Sequence, residues 1–156
     1  MVPNAQPLEF ALMAHNPAYT ASLLSVLRDL ASTQPVRIRV RGHCMEPLVA
    51  DGAWVRVDKA APLYWPGDVV VVATGGRLAL HRVIGGYRRR GRWRWLTQGD
   101  AAVRPDAATT REAILGKVAG GDCAPCLIHV PLRHRLRALG RFLAFCARRP
   151  ARTPSA

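Results

Sequence analysis

At 156 residues, 49% hydrophobic and 21% charged, the chain matches one folded domain, which excludes wholesale disorder and leaves no room for two ordinary domains. Its 23 Lys and Arg against 10 Asp and Glu give a formal charge of +13, which points to an anionic counterpart such as nucleic acid, an anionic membrane surface or an acidic peptide. No stretch approaches the ~20 apolar residues of a membrane-spanning helix, and the N-terminus lacks the basic start and apolar run of a secretory signal.

The expected location is therefore the cytoplasm, at most peripheral at the inner face of the membrane, with reduced thiols. The first predicted element lies in "HNPAYTASLLSVLRDLAST", where Asn16 can cap a helix, Pro17 suits its first position, and Leu23, Leu24, Leu27 and Leu30 share a face. From Val36 the period changes to two. Val36, Ile38 and Val40 alternate with Arg37, Arg39 and Arg41, the pattern of a half-buried strand. Strand-like runs follow: "AWVRV" after Asp51-Gly52, "DVVVVA" after Pro66-Gly67, "RLALHRVI" after Gly75-Gly76, "RWRWLTQ" after Gly91, and "AILGKVA".

Short strands with such turns predict an antiparallel, mainly β core of the α+β class. After Gly120, "PLRHRLRALGRFLAFCARRP" sets Leu132, Leu136, Leu139, Leu143 and Cys146 on one stripe with most arginines elsewhere, a basic amphipathic helix. "ARTPSA" reads as a disordered tail. The expected organisation is a helical segment over 1–34, a β domain over 35–121, and the basic helix and tail over 122–156.

The stretch "RGHCMEPLVADG" holds the candidate chemistry. A cysteine nucleophile needs a base or cation beside it, donors for an oxyanion, and a rigid exposed turn. Around Cys44, Gly42 permits close backbone approach, amides at Gly42, His43 and Cys44 can face an oxyanion, and Pro47 fixes the turn. A buried, inert thiol is the plain alternative. His81 alternates against Leu78 and Leu80 in its strand, so it lies on the face opposite the two leucines; Asp106 after Pro105 has the look of a turn residue. "DCAPC" places Cys123 and Cys126 at a Cys-x-x-Cys spacing, but only His129 and Cys146 stand near as further ligands, so a local thiol pair fits better than a metal. No metal or other cofactor is expected.

The order of boxes, "GHCMEPL", "DGAWVRV", "PGDVVVV", "LHRVIG", "QGDAAVRPD" and "ILGKV", over about residues 36 to 119, resembles the signal peptidase family, and within it the histidine-containing branch typical of the endoplasmic reticulum, archaea and some bacteria. The resemblance implies a signal-peptidase-like fold of coiled antiparallel strands and an endopeptidase that cuts a leader from a precursor peptide. It places Cys44 at the position of the nucleophilic serine and His81 at that of the general base. Asp100 falls in the Gly-Asp box and Asp106 at the acidic residue supporting the histidine, while Met45 and Pro47 shape the nucleophile turn and substrate groove.

The chain departs from the family pattern in three ways: cysteine replaces serine, Ala101 and Ala102 follow the Gly-Asp box, and no membrane anchor precedes the turn. The first departure is chemically coherent, because a thiol titrating at about 8.5 and an imidazole at about 6.5 can pair as thiolate and imidazolium near neutrality. The third favours cytosolic precursor peptides over exported preproteins. A catalytically inactive leader-binding module and a nucleic-acid-binding β domain stay open as alternatives, the latter for the charge and for "YRRRGRWRW". An anionic membrane surface or a partner protein is preferred over nucleic acid as the target of the C-terminal helix.

Overall fold

The computed structural model describes residues 17–148, so the Asn16 cap and the "ARTPSA" tail lie outside the described residues. Helix α1 (Pro17–Thr33) leads into β1 (Val36–Arg39), β2 (Trp54–Val57), β3 (Val69–Thr74), β4 (Arg77–Arg89), β5 (Arg92–Gln98) and β6 (Ile114–Gly121), and helix α2 (Leu132–Arg148) follows. The strands form one sheet in the order β1-β2-β6-β3-β4-β5, every neighbouring pair antiparallel. The protein is thus a mainly antiparallel α+β fold with a helix at each end of the chain.

Side-chain alternation along the strands divides the apolar residues between two cores. Val36, Ile38, Val55, Val57, Val69, Val71, Leu78 and Leu80 meet Leu24, Leu27 and Ala31 of α1 in the larger one. Val70, Val72, Val83, Trp95 and Ile114 form the smaller one around Tyr64, whose ring meets Trp95 edge-on at 5.5 Å. Each fully buried side chain such as Leu27, 1% exposed, contributes on the order of 2 kcal/mol.

Strand β4 is the longest element, and it changes partner along its length. Its stretch from Arg77 to Arg82 pairs with β3, and that from Arg82 to Arg89 pairs with β5. Among the described residues, the stretch 77–81 therefore has a backbone edge with no strand beside it, as does β1 on the side away from β2.

Helix α2 lies on β4 with Ala138 and Phe142 inward. The Phe142 ring fills the space that a side chain at Gly85 would take, and Arg135 donates to the Pro66 carbonyl at 3.1 Å. The stripe of Leu132, Leu136, Leu139 and Leu143 faces outward at 70%, 58%, 39% and 58% exposure. No described helix is long and apolar enough to cross a membrane.

Candidate active site

The turn that follows β1 is fastened from below. Val40 and Gly52 continue the strand pairing through bonds to Ala53 and Val40 at 2.8 and 2.9 Å, and Met45 and Val49, each 1% exposed, sink into the larger core. The amides of Leu48 and Val49 both bond to the Met45 carbonyl, at 3.0 and 3.1 Å. Between buried Met45 and exposed His43, Cys44 is half-buried, with Sγ 3.5 Å from the Leu80 carbonyl.

That carbonyl precedes His81, a buried residue of β4. His81 Nδ1 donates to Oδ2 of Asp106 at 2.5 Å, and Thr97 Oγ1 donates to the same oxygen at 2.7 Å. The Asp106 amide bonds in turn to the Thr97 carbonyl at 2.8 Å. A carboxylate only accepts, so this fixes the tautomer and leaves Nε2 as the working nitrogen.

Nε2 and the Cys44 side chain converge on Gly99. A Cβ built there would lie 3.1 Å from Cys44 Cβ and 3.4 Å from His81 Nε2, so glycine keeps the space between thiol and imidazole open. Burial pulls the His81 pKa down, but hydrogen bonds to Asp106 and Cys44 and the charges of both outweigh it, raising the pKa to about 9. The Asp106 carboxylate thus favours the protonated imidazole.

No family model matches the chain, and no curated protein matches it either.

Asp100 takes a place different from the catalytic one expected of it. Its carboxylate receives a two-pronged contact from Arg82, Nε to Oδ1 at 2.8 Å and a terminal nitrogen to Oδ2 at 2.6 Å, and Arg82 also donates to the Gly67 carbonyl at 2.8 Å. Asp100 thus compensates a guanidinium that is only 4% exposed, which makes it a structural group rather than a proton carrier. The loop with Ala101 and Ala102 needs no side-chain clasp: the Ala101 amide bonds to the Cys44 carbonyl and the Ala102 amide to that of Gly99, both at 3.0 Å. Gln98 Nε2 donates to the Ala102 carbonyl at 2.6 Å.

The expected oxyanion and groove residues divide in the same way. Gly42 has φ of +93°, but its amide is spent on Asp51 Oδ1 at 2.8 Å, so it is no oxyanion donor. The amides of His43 and Cys44 have no acceptor among the described residues. The His43 ring turns to Glu46, 2.6 Å away, and that hydrogen bond, with the charge of Glu46, raises its pKa. Met45 anchors the turn from within the core, and Pro47 faces α2 across a second cleft. Neither of them lines the cleft that reaches Cys44.

That cleft, about 250 Å³, is lined by Ile38 and Val40 of the first strand region, Val55 and Val71, the turn residues 41–44, and the stretch 77–80 of β4. Its strand walls lead into Cys44 from β1 and into His81 from β4, and they carry the backbone edges that have no strand beside them among the described residues. On the far side of the turn, the Ala124 amide bonds to the Leu48 carbonyl at 3.0 Å, which ties the Cys123–Cys126 segment to the turn. Both thiols are half-buried and free.

Sequence reasoning missed Thr97, Gly99 and Arg82. The signal for the first two was present in "LTQGD", whose alternation sends Thr97 and Gly99 to the same side of β5 as it approaches Asp106. Arg82 stood inside a recognised box with no role assigned.

Proposed function

We propose that the protein is a cysteine-dependent endopeptidase of the signal peptidase type that removes a leader segment from a precursor peptide. The observation that most supports this is the convergence of Cys44 and His81 Nε2 on Gly99, with Asp106 on the far nitrogen of the ring, at the end of a cleft bounded by two strand edges that have no strand beside them among the described residues. An extended peptide fills such a cleft by pairing its backbone with the edges, placing alternate side chains on the apolar floor.

The Cys44 sulfur, as thiolate, attacks the scissile carbonyl, and the amides of His43 and Cys44 receive the developing oxyanion. The C–N bond then breaks, and the leaving amine takes the proton from His81 Nε2, giving a thioester and a neutral imidazole. His81 next removes a proton from water, the resulting hydroxide attacks the thioester, and the sulfur leaves with the proton count restored. Asp106, held by Thr97, keeps the ring oriented and favours its charged form throughout. No cofactor takes part.

Helix α2 has five arginines and no acidic residue, with its leucine stripe exposed alongside. This supports docking on an anionic membrane surface, close to where leader-bearing precursors would gather.

Incubation of the purified protein with candidate precursor peptides, read by mass spectrometry, tests the reading. Cleavage at one bond, abolished in Cys44→Ala with binding retained, is the expected result. Binding by both proteins with turnover by neither would identify a leader-binding module instead.

A further inference from the structure

The cleft that ends at Cys44 has an apolar floor and a basic rim. Its floor is built of Ile38, Val55, Val71 and Leu80, while Arg41 and Arg77 line its mouth and are exposed. Among the described residues, no carboxylate lies within ion-pair distance of either guanidinium. Of the two acids of the adjoining turn, Asp51 accepts from the Gly42 amide and also feels the charge of Arg41, while Glu46 is bonded to His43. Arg37 extends the same row along the outer face of β1, its guanidinium 5.5 Å from the Trp54 ring centre.

A strand inserted between two strand edges has only two sets of side chains, one inward and one outward, with a period of two. Inward positions meet the apolar floor. Outward positions emerge at the arginine rim, where a carboxylate meets two exposed guanidinium groups. We propose that the peptide recognised by this cleft carries acidic residues at alternate positions, read by Arg41 and Arg77, with apolar residues between them. This rests on the cleft being the substrate channel, as in the function proposed above, and it names the chemical class of the leader.

Fluorescence anisotropy with Cys44→Ala protein separates recognition from chemistry. The probes are labelled peptides of about ten residues, long enough to span the cleft and its mouth, in which alanine alternates with glutamate, glutamine or lysine. The glutamate peptide is expected to bind roughly tenfold tighter than the glutamine peptide, as two exposed ion pairs allow, and the gap narrows with added salt. The double variant Arg41→Glu/Arg77→Glu closes the gap. Arg89→Glu/Arg92→Glu, on the exposed β4–β5 hairpin and matched in charge change, leaves it.

Equal affinity for the glutamate and glutamine peptides, equal loss in the hairpin variant, or no binding of any peptide would each overturn the proposal. If the protein with Cys44 intact binds the acidic peptide selectively yet never cuts any peptide, the peptidase reading fails and the recognition stands. If it cuts neutral and acidic peptides equally well, recognition fails and the peptidase stands.

Discussion

Three separate segments close on His81: Thr97 and Asp106 behind Nδ1, Gly99 and Cys44 before Nε2. Its raised pKa has a signed consequence. The stability this pairing contributes is fully present below the unfolded value of about 6.5 and is lost as pH rises through about 9, amounting to ~3 kcal/mol across that window. In Asp106→Asn the NMR titration of the His81 ring should move well below pH 9, and the high-pH limb of any activity profile should move with it; an unmoved titration would remove Asp106 from its positioning role. Gly99→Ala places a methyl group 2.9 Å from the Cys44 carbonyl oxygen, which forces the turn away from β4. Activity should fall by at least about tenfold, a barrier increase of ~1.4 kcal/mol, while urea denaturation reports a loss of only ~1–3 kcal/mol. Cys44, His81 and Asp106 were legible because their chemical types stood in ordered boxes. The engagement of Asp100 by Arg82 was not, since an aspartate in a turn has the same sequence appearance whether it faces a histidine or a guanidinium.

All six strands were legible as elements, because period-two alternation and glycine or proline turns mark them locally. The continuation of β4 to Arg89 was not expected from "RLALHRVI"; its extension depends on pairing with β5 across a short hairpin, a contact the alternation alone does not encode. Helix α2 was visible as a helix, yet its inward face was not predictable from its most apolar stripe. Ala138 and Phe142 face the sheet because Gly85 leaves room for a ring, and the leucines are left outside. That exposed stripe yields a test: wild-type protein should co-sediment with phosphatidylglycerol-containing vesicles, and Leu136→Ser/Leu139→Ser should reduce the bound fraction several-fold without loss of folding. Unchanged sedimentation would exclude the stripe as the docking face. At the junction of β4 with the Gly-Asp loop, Asp100→Ala leaves Arg82 buried without its carboxylate. Urea unfolding should show a loss of ~3 kcal/mol, whereas Arg141→Ala, which removes only a 3.8 Å contact to Asp100, should cost less than ~1 kcal/mol.

For the molecule as a whole, the sheet order brings residues distant in the chain to one place: the turn after β1, the middle of β4, and the loop after β5 meet at the end of one cleft. The ion-paired acids are set against specific cations, while Arg41 and Arg77 at the cleft mouth are exposed. The intact chain also carries its own control, because Cys146 is exposed on α2 while Cys44 is half-buried beside His81. Alkylation of both thiols by iodoacetamide at pH 6.5, resolved by peptide mass spectrometry in the wild-type protein and in His81→Ala, compares them directly. Cys44 is expected to react about tenfold or more faster than Cys146 and to lose that advantage without His81, as a thiol activated by an adjacent imidazolium does. A Cys44 that reacts more slowly than Cys146 in both proteins, or equally fast with and without His81, would contradict a Cys44–His81 dyad.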